Sequence, residues 1–149
     1  PSLFPFYGRE LYFNMFGRRG FFEYQVLVGH RGAIPFLGDL TGLLLKLKAP
    51  STFVALRMFK GKQALLKFDG DGVALALDMP RTVATTRIMH ELNRLMLDHG
   101  ALPFVVKNSS LTQEVVQGAY PEYALFKEKL REFDPKRLFR SHHTERLGL

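Results

Sequence analysis

From residue 21 to residue 107 the apolar residues change their spacing from two to three-and-four and back, in six successive segments, and few folds tolerate that order. Phe22, Tyr24, Val26 and Val28 alternate with Phe21, Glu23, Gln25 and Leu27, a period of two rich in β-branched and aromatic residues, which predicts a half-buried strand ended by Gly29 to Gly32. From Ile34 to Lys48 the set Phe36, Leu37, Leu40, Leu43, Leu44 and Leu47 recurs at three and four, with Asp39, Lys46 and Lys48 opposite, which predicts an amphipathic helix. Gly38 and Gly42 each cost that helix about 1 kcal/mol relative to Ala, so burial of its leucine face must hold it. Phe53 to Lys60 and Val73 to Asp78 return to strand composition around the turn-rich Asp69-Gly70-Asp71-Gly72 and read as a hairpin pair. Thr82 then caps a second helix, whose stripe is Ala84, Ile88, Leu92, Leu95 and Met96, and Gly100 supplies its left-handed stop. Ala101 to Lys107 reads as a fourth short strand.

The resulting order, β-α-β-β-α-β, is that of an α+β ferredoxin-like domain: a four-stranded antiparallel sheet with two helices on one face. Residues 1–20 are an irregular, aromatic-rich lead-in, residues 21–107 the ferredoxin-like domain, and residues 108–149 a helical C-terminal segment in which Tyr120-Pro121 opens a helix that Asp134-Pro135 closes. Strand parity divides the sheet residues. With Val26/Val28, Val54/Leu56/Met58 and Val73/Leu75/Leu77 toward the helices, the open face carries Glu23, Gln25, Phe53, Arg57, Phe59, Ala74, Ala76, Asp78 and Lys107. By the same alternation Phe104 points to the helix side.

Composition narrows the chemistry. With 149 residues, 46% apolar and 23% charged, the chain is long enough for one self-supporting core. The absence of cysteine excludes disulfides, thiolate catalysis and Cys-based zinc sites. The five histidines, His30, His90, His99, His142 and His143, match no zinc spacing, and the twelfth position of a calcium loop begun at Asp69 is Pro80 rather than Glu. Ser109-Ser110 has no His and acid arrangement around it, and neither type of Gly-rich phosphate loop occurs. A formal charge of +7 favours anionic partners, yet Val73 to Asp78, the strand on which an RNA-recognition domain would carry its stacking aromatics, has none. Lys46 and Lys48 interrupt the Leu43 to Leu47 run, so no transmembrane segment is expected, and with no leader pattern a cytoplasmic location is. The chain opens on Pro1, which suggests a piece of a longer protein.

Several ordered motifs add to this reading. Ala101-Leu-Pro-Phe-Val-Val-Lys107-Asn-Ser109, then Tyr120-Pro121, Phe133-Asp-Pro-Lys-Arg-Leu-Phe139-Arg-Ser141 and the Leu-rich end Arg146-Leu-Gly-Leu149 resemble the C-terminal end of FAD-linked oxidases of the vanillyl-alcohol-oxidase superfamily. The likeness is to the decaprenylphosphoryl-ribose oxidase and arabinono-lactone oxidase branch. Upstream, Gly20-Phe-Phe-Glu-Tyr-Gln25 resembles that branch's Gly-Phe-x-x-Tyr-Gln strand, and Leu75-Ala-Leu-Asp-Met-Pro80 its strand ending in Asp-x-Pro.

The resemblance implies an FAD cofactor bound mainly by an N-terminal flavin-binding domain of the same polypeptide. It implies hydride transfer from an alcohol carbon of a sugar-like or lactone substrate. It assigns Lys107 to the cofactor, near the N1 and C2 carbonyl edge of the flavin. Gln25, Arg57, Phe59, Glu23, Ala76 and Phe104 fall where the family lines its substrate pocket. Glu23 stands where relatives carry Gln, Arg57 where they carry Lys, Asn108 where they carry Asp, and Ala76 where some carry Cys. By the same resemblance residues 108–149 return to the flavin domain, and this chain alone is catalytically silent. Two rival functions are a stand-alone small-molecule-binding module and an RNA-binding domain.

Overall fold

A computed structural model describes residues 16–149; of the lead-in expected over residues 1–20, residues 1–15 lie outside the described part. A short 3-10 turn, Gly17–Arg19, precedes the sheet. The remaining elements are β1 (Phe21–Gly29), α1 (His30–Lys46), β2 (Phe53–Phe59), β3 (Gly72–Pro80), α2 (Val83–Asp98), β4 (Leu102–Pro103), α3 (Gln113–Ala119), α4 (Tyr123–Phe133) and α5 (His142–Arg146). The four strands lie in the order β2-β3-β1-β4 and every neighbouring pair is antiparallel, so the chain is an α+β ferredoxin-like sandwich with a helical tail.

β1 and β3 are the long central pair, in register from Phe21 opposite Pro80 to Gly29 opposite Gly72. Their alternation puts Phe22, Tyr24, Val26 and Val28 with Leu75, Leu77 and Met79 under the helices, where Phe36 and Leu40 of α1 and Ile88, Met89, Leu92 and Met96 of α2 complete the main core. Tyr24 reaches across this core to donate its hydroxyl to the Leu92 carbonyl at 2.9 Å, which satisfies a polar group that burial would otherwise penalise. At the pair's end a Cβ on Gly72 would collide with the Val28 carbonyl oxygen, so that position requires glycine. Thr82 caps α2 in a reciprocal box with Thr85, and Gly100, at φ +59°, ends it in the left-handed region.

Two boundaries and the cover of one strand depart from the sequence reading. α1 begins at His30, directly after β1, rather than at Ile34. Gly29 and Gly32 looked like a turn, but Gly29 serves as an N-cap without a side-chain bond, and Pro35 inside the helix sits at an exposed position where water can meet the carbonyl that it leaves free. β4 is two residues long, not seven: after Pro103 the backbone turns, and the Lys107 and Asn108 amides both donate to the Phe104 carbonyl at 3.1 Å. Finally, Val54, Leu56 and Met58 keep their parity but not their cover, being 54%, 54% and 72% exposed on the edge strand β2 while the helices pack over the central pair.

The tail forms its own core. Leu111, Val116, Tyr120, Tyr123 and Leu147 are buried together with Leu66 from the β2–β3 connection, and Leu102 and Val105 pack against them. Tyr120 donates to the Pro103 carbonyl at 2.6 Å and Tyr123 to the Leu147 carbonyl at 2.7 Å, so two buried hydroxyls tie the tail to the edge of the sheet and to its own end. Among the described residues no helix is long and apolar enough to cross a membrane.

Candidate functional site

The sheet face turned away from α1 and α2 is laid out in rows by the strand register. Phe53, Asp78 and Glu23 form one row, Ala55, Ala76 and Gln25 the next, then Arg57, Ala74 and Leu27, and Phe59 stands opposite Gly72 at the far end. The middle of the floor is therefore alanine, and it is not open to solvent as the sequence reading expected: Ala74 is 2%, Leu27 3% and Gln25 7% exposed, with Glu23 and Arg57 in the rows on either side. Ala76 lies between Gln25 and Ala55 as parity required. Gln25 is only 7% exposed and its carbonyl accepts the Phe104 amide at 2.8 Å, so the strand edge carries the chain into the turn that bears Lys107.

Lys107 and Glu23 meet across this face. The Lys107 ammonium donates to the Glu23 carboxylate at 3.2 Å, with the lysine side chain 51% and the glutamate side chain 22% exposed. A lysine released from a strand into a turn keeps its flexible stem in reach of whatever lies above the sheet, while one carboxylate fixes its direction. The turn itself is tied by side-chain hydrogen bonds. Asn108, fully buried, accepts the Ser110 amide at 3.0 Å and the Ser110 hydroxyl at 2.7 Å, and Asn93 of α2 donates to the Ser110 hydroxyl at 3.1 Å.

Phe104 requires a correction. Strict alternation pointed it to the helix side; because the strand ends at Pro103, its ring instead stacks on Phe68 at 4.7 Å and 16°. Phe68 in turn meets Phe59 edge to face at 5.6 Å, which brings Phe104 into the same aromatic group as the open-face Phe59. Phe68 was not among the candidates. The signal was there, an apolar run Ala64-Leu65-Leu66 with Phe68 in a segment that otherwise reads as turn, since such residues in a connection need a surface to cover. Arg57 stands exposed beside this group, in the row of Ala74 and Leu27.

The face thus gathers Glu23, Gln25, Arg57, Phe59, Ala76, Phe104 and Lys107 on one surface: an ammonium, a carboxylate, an amide and a guanidinium bordering a small-residue floor, with an aromatic group beside it. Such a mixture suits a polyhydroxylated ligand with some apolar surface, because the polar groups orient hydroxyls and the rings take carbon. A separate cavity of about 380 Å³ in the tail, lined by Lys127, Arg131, Asp134, Arg137 and Arg140 among others, shares no residue with this face. Among the described residues no group of three or more His, Cys, Asp or Glu side chains stands close enough to hold a metal ion.

Comparison with known proteins bears on the same residues. The family model for D-arabinono-1,4-lactone oxidase matches residues 53–147. Over 138 residues, 90% of this chain, the sequence is 27% identical to decaprenylphosphoryl-beta-D-ribose oxidase of Mycolicibacterium smegmatis. It spans 29% of that relative's length. The match takes in β2, β3, α2 and the whole of the Lys107 turn, so the strands and turn that carry Arg57, Phe59, Ala76, Phe104 and Lys107 are held in common with the family. The chain belongs to the D-arabinono-1,4-lactone oxidase family, a family of oxidoreductases.

Proposed function

We propose that this chain is the substrate-binding cap and C-terminal region of an FAD-dependent oxidoreductase that oxidises an alcohol carbon of a sugar-like or lactone substrate. The observation that carries the reading is the open face itself, where Lys107, Glu23, Gln25 and Arg57 surround an alanine floor beside Phe59 and Phe104. Relatives named as oxidases of an aldonolactone and of a phosphorylated ribose lend the substrate class. FAD, held mainly by a flavin-binding domain preceding this chain in the same polypeptide, would accept the hydride that leaves the alcohol carbon.

The residues present fit a flavin at one edge. Lys107 is half exposed, carries a fixed positive charge and is engaged by a single carboxylate, so it can face the N1 and C2 carbonyl edge, where negative charge grows on reduction. Gln25 and Glu23 would orient the hydroxyls of the substrate, Arg57 would hold its outer polar end, and Phe59 and Phe104 would exclude water on the apolar side. The tail, residues 108–149, would lie against the flavin domain, a placement supported by Phe133, Leu138 and Phe139, which are 76%, 75% and 72% exposed.

Anaerobic flavin reduction tests the reading. A polypeptide joining this chain to its flavin domain should lose flavin absorbance on mixing with D-arabinono-1,4-lactone or a ribose-type alcohol, whereas the 149-residue chain alone should fold and show no flavin turnover. Failure of a range of sugar and lactone alcohols to reduce the flavin would overturn it, as would turnover by the short chain.

A further inference from the structure

Phe59 and Phe104 belong to opposite edges of the sheet. Phe59 ends β2, Phe104 follows β4, and β3 and β1 lie between them in the order β2-β3-β1-β4. Strands about 4.8 Å apart put these edges roughly 14 Å from each other, and Phe104, opposite Gln25, is also displaced along the strands from the row of Phe59 and Gly72. Phe68 spans the gap. Its ring stacks on Phe104 at 4.7 Å and meets Phe59 edge to face at 5.6 Å. The result is a continuous aromatic wall that crosses the face obliquely, from Phe59 in the end row of Gly72 to Phe104 opposite Gln25.

The wall is held by its own connection, residues 60–71, which runs over the sheet rather than out into solvent. Leu66 is buried in the tail core, and the neighbouring Leu65 amide donates to the Glu122 carboxylate at 2.6 Å. On the other side of Phe68, a Cβ on Gly70 would come to 3.2 Å from Leu27, so the backbone lies directly on the face there. Lys67 and Asp69, flanking the ring, pair with each other at 2.6 Å. Phe68 is thus fixed between two anchors, with its ring aimed along the sheet.

From this geometry we infer that Phe68 is a positioning and specificity-determining residue of the binding face, and that the wall it completes selects closed-ring over open-chain polyols. The inference rests on the sugar-like or lactone substrate class proposed above. A five- or six-membered ring presents a flat patch of C–H bonds with partial positive charge, which the negative face of an aromatic ring complements, while its hydroxyls turn to Glu23, Gln25 and Lys107. An open-chain polyol has no such patch and loses more conformational freedom when held straight.

The test is a chemical-shift titration of the 149-residue chain with D-arabinono-1,4-lactone and with D-arabinitol, in the wild type, Phe68→Leu, Phe68→Tyr and Phe104→Leu. The wild type should bind the lactone about tenfold more tightly than the polyol, the worth of one good ring contact, with shifts at Gln25, Phe59 and Phe104. Phe68→Tyr should keep that ratio. Phe68→Leu and Phe104→Leu should bring it close to one while the amides of Leu66 and Glu122 stay in place; a merely structural loss would weaken both ligands alike and leave the ratio standing. An unchanged ratio in the two leucine variants, or no lactone-dependent shift in the wild type, overturns the inference. Lactone binding with the predicted ratio but without flavin reduction in the longer polypeptide would overturn the oxidoreductase reading alone. Flavin reduction by the lactone with an unchanged ratio in Phe68→Leu would overturn this inference alone.

Discussion

Tyr24 and Tyr120 are buried hydroxyls with a single donor's task each, to the Leu92 and Pro103 carbonyls, and burial pushes both phenols well above their ordinary value near 10. The folded state therefore keeps these protons at a pH where the unfolded chain has lost them. Stability from the two is complete below pH 10 and falls as pH rises beyond it, by about 1.4 kcal/mol per pH unit for each group. Denaturant melts between pH 9 and pH 11 should show that steepening, and Tyr24→Phe should remove part of it, the rest coming from Tyr120 and from Tyr123, whose phenol burial also raises; an alkaline slope unaltered by the substitution would assign it elsewhere. The sequence marked Tyr24 as a core position but not its bond, since the partner lies 68 residues away. Glu23, Gln25 and Ala76 were legible because parity in an antiparallel pair needs only the strand's direction and start. Phe104 was not, because parity was carried through Lys107 and the strand stops at Pro103.

At the scale of elements, the alternating periods located every strand among the described residues and both sandwich helices, and failed where no local signal exists. Nothing in Gly29 to Gly32 says that a helix starts there, as the cap makes no side-chain bond and the first turn holds no acid. The helix-side parity of β2 was right, yet cover is decided by where helices dock, not by period. Its apolar residues Val54, Leu56 and Met58 stay largely exposed, while Leu77, on the neighbouring strand, is 1% exposed. The two strands should therefore respond differently to substitution. Leu77→Ala should cost about 2–5 kcal/mol through a cavity in the main core, whereas Met58→Lys should change stability by no more than about 0.5 kcal/mol. Urea unfolding of both variants decides it, and a large loss for Met58→Lys would mean that β2 is covered in solution.

Two cores make up the described molecule, one beneath the helices of the sandwich and one inside the tail, joined at the edge of the sheet by Tyr120, Leu102 and Leu66. The tail core was beyond reach of periodicity, because Leu66, Leu111 and Leu147 come from three separate segments with no common repeat. Their meeting positions the Lys107 turn, through the buried Asn108, Ser110 and Asn93 bonds, and the aromatic wall, through Leu66. Lys107 contributes little to this stability. Its pair with Glu23 is partly exposed and worth at most about 1 kcal/mol, so its charge can be removed without dismantling the face. The most direct measurement is accordingly the rate of anaerobic flavin reduction by D-arabinono-1,4-lactone in a polypeptide joining this chain to the flavin domain proposed for it, for the wild type and Lys107→Met. A fall of about a hundredfold with unfolding shifted by less than about 1 kcal/mol is what a charge placed against the reduced flavin predicts. A wild-type rate in the methionine variant would contradict it and remove the Lys107 face from the chemistry.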